Sequence, residues 1–253
     1  EDENWMINKL YERKNKIVRR SVNLSKQTHI IAANIDQAIL MITLKSPETF
    51  TAFIDRFLVS AQAFGVEVIL LFNKVDLYNK AKLLELEDLK NIYSQIGYKC
   101  ISLSLMSNDL KKIKDIISAK NTLISGHSGV GKSTLINKLL GTNIPTNEIS
   151  ATHDQGQHTT TFSHLYRIKS GGAIIDTPGI KGFGLIDIET KTICDLFPEF
   201  LRLKSNCKFN NCIHINEPNC KVLEALANGE ISKHRYNNYL NMLENEETIY
   251  RSS

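Results

Sequence analysis

Gly126-His127-Ser128-Gly129-Val130-Gly131-Lys132-Ser133 has the form G-x-x-x-x-G-K-[ST], the pattern of a backbone loop that wraps phosphate groups. The pattern is short, so its setting decides whether it counts. Thr122-Leu123-Ile124 before it is a β-favouring run. Lys132 to Leu140 after it carries Leu135, Ile136, Leu139 and Leu140 at helical spacing and stops at Gly141. A strand therefore enters the loop and a helix leaves it. Glycines 126, 129 and 131 let the backbone turn its N–H groups onto phosphate oxygens, with His127, Ser128 and Val130 between them, and the helix adds the positive end of its dipole. Lys132 is expected at the β and γ phosphates. Ser133, with Thr134 beside it in the first helical turn, supplies a hydroxyl where a bridging magnesium needs a ligand.

Upstream, Val68-Ile69-Leu70-Leu71-Phe72 is a continuous apolar run, the mark of a strand buried on both faces, and Asn73-Lys74-Val75-Asp76 follows it. Ligands of open α/β sheets bind at that end of a strand. The Asp76 carboxylate can accept two hydrogen bonds from guanine N1–H and its 2-amino group, a pair that adenine does not offer. Lys74 can lay its stem along the base, and Asn73 can tie this loop to the phosphate loop. An ordinary GTPase has the phosphate loop first and the base-reading element second. Here the order is rotated, which predicts a circularly permuted GTPase.

A third apolar run, Ala173-Ile174-Ile175, ends in Asp176-Thr177-Pro178-Gly179. Asp176 can hold magnesium through water, and the Gly179 N–H can meet a γ-phosphate. Before it lies the polar segment Gly156-Gln157-His158-Thr159-Thr160-Thr161. One of its threonines completes the magnesium shell. Thr160 is assigned there with Ser133 and Asp176, and Thr159 and Thr160 join Lys132 in the catalytic set. Ile180 stands where a Ras-like enzyme has the glutamine that orients water, so another polar group is needed. His158 is the candidate; the alternative is a histidine that caps or contacts a partner.

Of five cysteines, Cys207, Cys212 and Cys220 enclose His214 in C-x4-C-x-H-x5-C. Three thiolates and one imidazole make a closed, structural zinc shell. Disulfides are the competing reading; nucleotide machinery implies a cytosol, where they are rare, and this favours zinc. Cys100 and Cys194 read as buried packing residues.

The chain has 253 residues, 42% of them hydrophobic, enough for one large or two modest domains, and its net charge of +4 permits an anionic partner without demanding one. Neither a signal peptide nor an apolar run of membrane-spanning length is evident. Strand and helix patterns alternate: Ala38 to Leu44; a helix opened by Ser46 and Pro47 and ended by Gly65; the Val68 strand; a helix from Asn79 to Ile96; a strand over Tyr98 to Leu103; and a basic helix around Asp109 to Ala119. A strand over Phe162 to Ile168 follows the phosphate loop and its helix. This predicts a mostly parallel sheet with helices on both faces. Ser102-Leu103-Ser104 falls where a second base-contacting loop is needed, which makes Ser102 a candidate contact. Beyond Gly182-Phe183-Gly184 the pattern turns irregular and helical, with a last helix from Ser232 to about Asn245.

The order N-K-V-D, G-H-S-G-V-G-K-S, H-T-T-T and D-T-P-G, followed by the cysteine pattern, resembles the ribosome small-subunit-dependent GTPase A family, also called RsgA or YjeQ. The resemblance implies an α/β fold: a permuted P-loop GTPase domain over 29–190 and a mainly helical zinc domain over 191–253. Family members also carry an N-terminal OB-fold, and residues 1–28 read as its final portion plus linker. On that reading the cluster Lys9, Arg13, Lys14, Lys16, Arg19 and Arg20 belongs to an RNA-facing element; on charge alone it is a solvated face. The implied activity is hydrolysis of GTP with magnesium during late maturation of the 30S subunit, stimulated by that subunit and its rRNA, by a cytoplasmic monomer that binds no membrane. Two other readings stand beside it. One is a GTP-dependent RNA-binding switch with negligible catalysis, and the other a zinc-stabilised ATPase, which Asp76 disfavours.

Overall fold

In a computed structural model of the chain, residues 8–20, 28–107, 109–142, 163–177, 185 and 188–244 are described. The first two strands, β1 (Lys16–Arg20) and β2 (Thr28–Ala33), form an antiparallel pair. Ile17 and Ala32 enter the main core, so the pair is packed onto the domain that follows. The predicted boundary at residue 28 falls at the start of β2.

Among the described residues six strands make the central sheet: β3 (Gln37–Ile42), β4 (Glu67–Phe72), β5 (Lys99–Ser102), β6 (Lys120–Ser125), β7 (His164–Arg167) and β8 (Gly172–Asp176). Their order is β5-β4-β3-β6-β8-β7. All neighbours are parallel except the edge hairpin β7–β8. All six β3 residues are buried, as a strand covered on both faces requires.

Four helices provide the cover. On one face α1 (Thr51–Ala63) and α2 (Lys80–Ile96) set Phe53, Phe57, Leu86, Leu89 and Tyr93 against Leu40, Ile42, Leu70 and Phe72. On the other, α3 (Lys111–Ile117) and α4 (Lys132–Leu140) set Ile113, Ile117, Leu135 and Ile136 against Ile39, Met41, Ile69 and Leu71. Alternate residues of each strand thus feed opposite cores. Helix α2 begins where its cap residue predicts: the Asn79 side chain accepts the Lys82 N–H at 2.9 Å, and the helix stops at Gly97.

Helix α1 corrects the reading from sequence. It begins at Thr51, and Ser46-Pro47 lies in the preceding loop as a cis peptide. There Thr43 Oγ1 donates to Pro47 O at 2.5 Å, while the Thr49 N–H donates to Thr43 O and the Thr49 hydroxyl accepts from the Thr43 N–H. These bonds satisfy the segment's polar groups in a closed turn, which removes the reason to start a helix at Pro47.

The C-terminal part contains a 3-10 segment (Thr190–Leu196) and helices α5 (Pro198–Lys204), α6 (Lys221–Ala227) and α7 (Lys233–Leu243). Phe197, Phe200, Tyr236, Tyr239 and Met242 form its own core, joined by Val59 of α1. Beside that core lies a buried ionic network. Asp55 of α1 accepts from Arg235 Nη1 at 2.6 Å, Asn238 Nδ2 at 2.6 Å and the Tyr93 hydroxyl at 2.7 Å. Arg235 also grips Glu199 of α5 with Nε at 2.8 Å and Nη2 at 3.1 Å, and its guanidinium lies over the Phe197 ring. Burial alone would lower the pKa of Arg235; Asp55 and then Glu199 more than reverse this and hold it charged. No helix among the described residues is long and apolar enough to cross a membrane.

Candidate nucleotide and metal sites

Because β4, β5, β6 and β8 run parallel, their C-terminal ends share one edge. Asn73, Ser102, Gly126 and Asp176 therefore converge there. Buried Asn73 stands between three loops: its Nδ2 donates to Val130 O at 2.8 Å, its Oδ1 accepts the Leu105 N–H at 3.3 Å, and its own carbonyl accepts the Tyr78 hydroxyl at 2.7 Å. Tyr78 in turn accepts the Leu44 N–H at 2.7 Å, which fixes the loop after β3. Lys74 has a left-handed backbone, φ +63°, and its ammonium donates to Ser46 O. Asp76 is exposed in a 3-10 turn over Val75–Leu77, free to meet a ligand. Ser102 is exposed at the end of β5.

The phosphate loop is closely built. A Cβ on Gly126 would lie 2.6 Å from Met41 O, and one on Gly131 would lie 2.6 Å from Asn73 Nδ2, so neither position accepts a side chain. Both have positive φ, +144° and +104°. Ser128 and Gly129 are exposed, Val130 is buried, and Ser133 and Thr134 sit in the first turn of α4. His127 packs its ring 3.8 Å from that of Phe53. Lys132 folds back onto the loop, donating to Gly126 O at 2.8 Å and His127 O at 2.6 Å. Burial pushes its ammonium down to about 8, opposed by the Asp176 carboxylate. Burial in turn raises the pKa of Asp176, opposed by Lys132.

Asp176 Oδ1 is buried and has no hydrogen-bond partner among the described residues. An orphaned carboxylate oxygen beside a phosphate loop is the donor expected of a magnesium-water shell, so the residues present fit that ion. Thr177, not singled out from the sequence, is fully buried and donates its hydroxyl to Ile124 O at 3.1 Å, tying β8 to β6. Tyr78 and Leu105 were likewise missed; an aromatic hydroxyl two residues after N-K-x-D was the available signal for the former. His158, Thr159, Thr160, Thr161, Gly179 and Ile180 lie outside the described residues.

In the C-terminal part, Cys207, Cys212, His214 and Cys220 are all buried, with ligand atoms within 4.8 Å of one another. His214 presents Nδ1, at 3.2 Å from Cys220 Sγ and 3.8 Å from Cys207 Sγ. All five cysteines are free thiols in the structure, with Cys100 only half-buried and Cys194 buried. Burial pushes the Cys212 thiol up to about 12 and raises that of Cys220. Three soft donors and one imidazole in a closed pocket fit a tetrahedral metal. Glu217, also missed from sequence, shapes the loop between ligands. Its carboxylate accepts N–H groups of Ile213, Ile215 and Asn216 at 2.6, 2.8 and 3.1 Å, and although burial opposes ionisation these bonds hold its pKa down at about 2.

Comparison with known proteins agrees with this arrangement. The family model described as RsgA GTPase matches residues 10–186. The small ribosomal subunit biogenesis GTPase RsgA of Flavobacterium psychrophilum is 53% identical over 248 residues, 97% of this chain and 76% of that protein. Among solved structures, YjeQ from Thermotoga maritima superposes with a TM-score of 0.74 at 34% identity, covering 94% of this chain and 77% of its own. YloQ, described as a circularly permuted GTPase, gives 0.71 at 30% identity and covers 93% and 73%. A match over most of the chain, with half of all residues shared with such a relative, leads to one assignment: the chain belongs to the RsgA GTPase family.

Proposed function

We propose that this GTPase acts in maturation of the small ribosomal subunit, binding GTP with magnesium at the shared strand edge and hydrolysing it when the subunit engages the protein. The observation that carries the reading is Asn73, one buried amide that joins the base-reading loop, the phosphate loop and the loop after β5. Such a joint sets base and phosphates at a fixed spacing, which a generic Gly-rich turn has no need to do. Asp76 would choose guanine, with Ser102 beside the base. Lys132 would leave the loop carbonyls for the β and γ phosphates. Ser133, Thr160 and Asp176 would hold magnesium, which when bound neutralises charge on the phosphates. Gly179 would meet the γ-phosphate, and His158 is our candidate for orienting the attacking water. Cys207, Cys212, His214 and Cys220 would hold a structural zinc. In the same reading residues 1–28 are the end of an OB-fold, its basic residues face rRNA, and the protein works in the cytoplasm as a monomer.

The direct test is GTP hydrolysis titrated with purified 30S subunits, 50S subunits or neither. Strong stimulation by 30S alone is expected. Tight GTP binding with no stimulation would instead favour a non-catalytic switch, a reading kept open by Ile180.

Lys132 supplies a second test. Burial pushes its ammonium down to about 8 where it lies folded onto the loop. Phosphates favour the charged form, so above that pH binding must take up a proton, and GDP affinity is expected to fall as pH rises past about 8. Calorimetry at pH 8.5 in buffers of different ionisation enthalpy reads the proton directly; zero uptake would show that nucleotide binding does not change the protonation of Lys132.

A further inference from the structure

Helix α1 is buried from Phe53 to Ala61 without interruption. Its early residues touch the phosphate loop, where Phe53 meets the His127 ring at 3.8 Å. The chain leading into it does so too: Pro47 Cδ lies 3.3 Å from the place a Cβ on Gly129 would take. Two residues beyond Phe53, Asp55 receives Arg235 and Asn238 of α7, and Asn238 also reaches the Thr51 hydroxyl at 3.3 Å. Helix α7 then holds the metal loop. The Tyr236 hydroxyl donates to His214 O at 2.8 Å, and the Tyr239 hydroxyl donates to Ile213 O. An unbroken series of packed and hydrogen-bonded groups thus runs from His127 through α1 and α7 to the backbone of a metal-ligating residue.

We propose that α1 and α7 couple the two sites, so that guanine nucleotide on the phosphate loop and zinc on the Cys3His cluster strengthen each other's binding; this rests on the nucleotide and zinc readings above. Each ligand orders a loop braced on the same helix pair, so the second ligand finds that pair already ordered. Linkage then requires reciprocity. GDP must raise zinc affinity by the same factor by which zinc raises GDP affinity.

Zinc affinity is measured by competition with a chromophoric chelator, with and without saturating GDP, and GDP affinity by calorimetry on zinc-loaded and zinc-depleted protein. One common factor of at least ~5 is expected. Phe53→Leu keeps the core apolar but removes the ring that meets His127. It is expected to bring the factor close to one while the folded spectrum and the zinc affinity without nucleotide stay unchanged. Should zinc-depleted protein unfold, the chelator competition on wild type and Phe53→Leu carries the test alone, because linkage through global unfolding would persist in the variant. A factor that survives Phe53→Leu overturns the route through the Phe53–His127 contact. A wild-type factor below ~2 with GDP binding intact overturns the coupling. Absence of GDP binding overturns the nucleotide reading and the coupling with it; absence of zinc binding does the same for the zinc reading.

Discussion

Asp76→Asn is expected to weaken GDP binding by roughly 100- to 1,000-fold and to create affinity for xanthosine diphosphate. On the proposed reading the carboxylate would accept two hydrogen bonds from guanine, from N1–H and from the 2-amino group, charge-assisted bonds worth about 1.5–3 kcal/mol each. An asparagine amide keeps one acceptor and turns the other position into a donor, which then faces the amino group of guanine. Xanthine carries a carbonyl there, and the same amide can pair with it. Asp76 is exposed in its 3-10 turn, so the exchange leaves the core untouched and the folded spectrum should not change. Binding measured with both nucleotides separates the outcomes. Unchanged GDP affinity would show that the base is read elsewhere, and loss of both nucleotides would point to damage at the Asn73 joint instead.

The second large effect is on stability. Arg235→Ala removes a guanidinium that is 1% exposed and leaves Asp55, 0% exposed, without its cation. Stranding a buried charge costs about 3–5 kcal/mol, and for a protein of this size that lowers the melting temperature by about 10 °C. The pair's own net contribution is a different quantity, because both ions had to leave water. The double variant Asp55→Asn, Arg235→Met tests this. Asparagine still accepts from the Tyr93 hydroxyl, the methionine fills the space over Phe197, and the charge that loses its partner is Glu199, which at 12% exposure reaches water as the fully buried Asp55 does not. It is expected to melt above Arg235→Ala despite carrying two changes. If the single variant costs less than about 1 kcal/mol, water reaches Asp55 and the network is less closed than its distances imply.

The sheet and most of its helices were legible because their signals are local. Val68 to Phe72 reads as a doubly covered strand, Asn79 and Gly97 frame α2, and the phosphate loop sits between a strand and a helix whose own residues announce them. Asn73 could be anticipated as a tie between loops because the N-K-x-D order and strand parallelism put its side chain near the phosphate loop. The start of α1 was misread because Ser46 and Pro47 carry helix-start chemistry, while the turn that uses them is closed by Thr43 and Thr49 on either side. The ionic network was illegible for a different reason. Asp55 and Arg235 are 180 residues apart, and each alone looks like the solvated face of a helix. Glu217 stood in a polar loop where a carboxylate gathering three backbone N–H groups leaves no pattern in neighbouring residues.

The separation between Asp55 and its partners also bears on how the protein is made. Helix α1 and its strands emerge early in synthesis, yet Val59 gains its apolar cover, and Asp55 its cation and amide, only when residues 193–242 follow. Until then the carboxylate keeps its hydration, and the outer side of α1 stays wet. Closing that side is a late, long-range event with a large loop to span, of the kind that slows folding. The nascent chain therefore holds its nucleotide half open along one helix until its last helix arrives, and a nascent chain stopped short of Lys233 would leave that helix as a sticky, half-charged surface for chaperones to find.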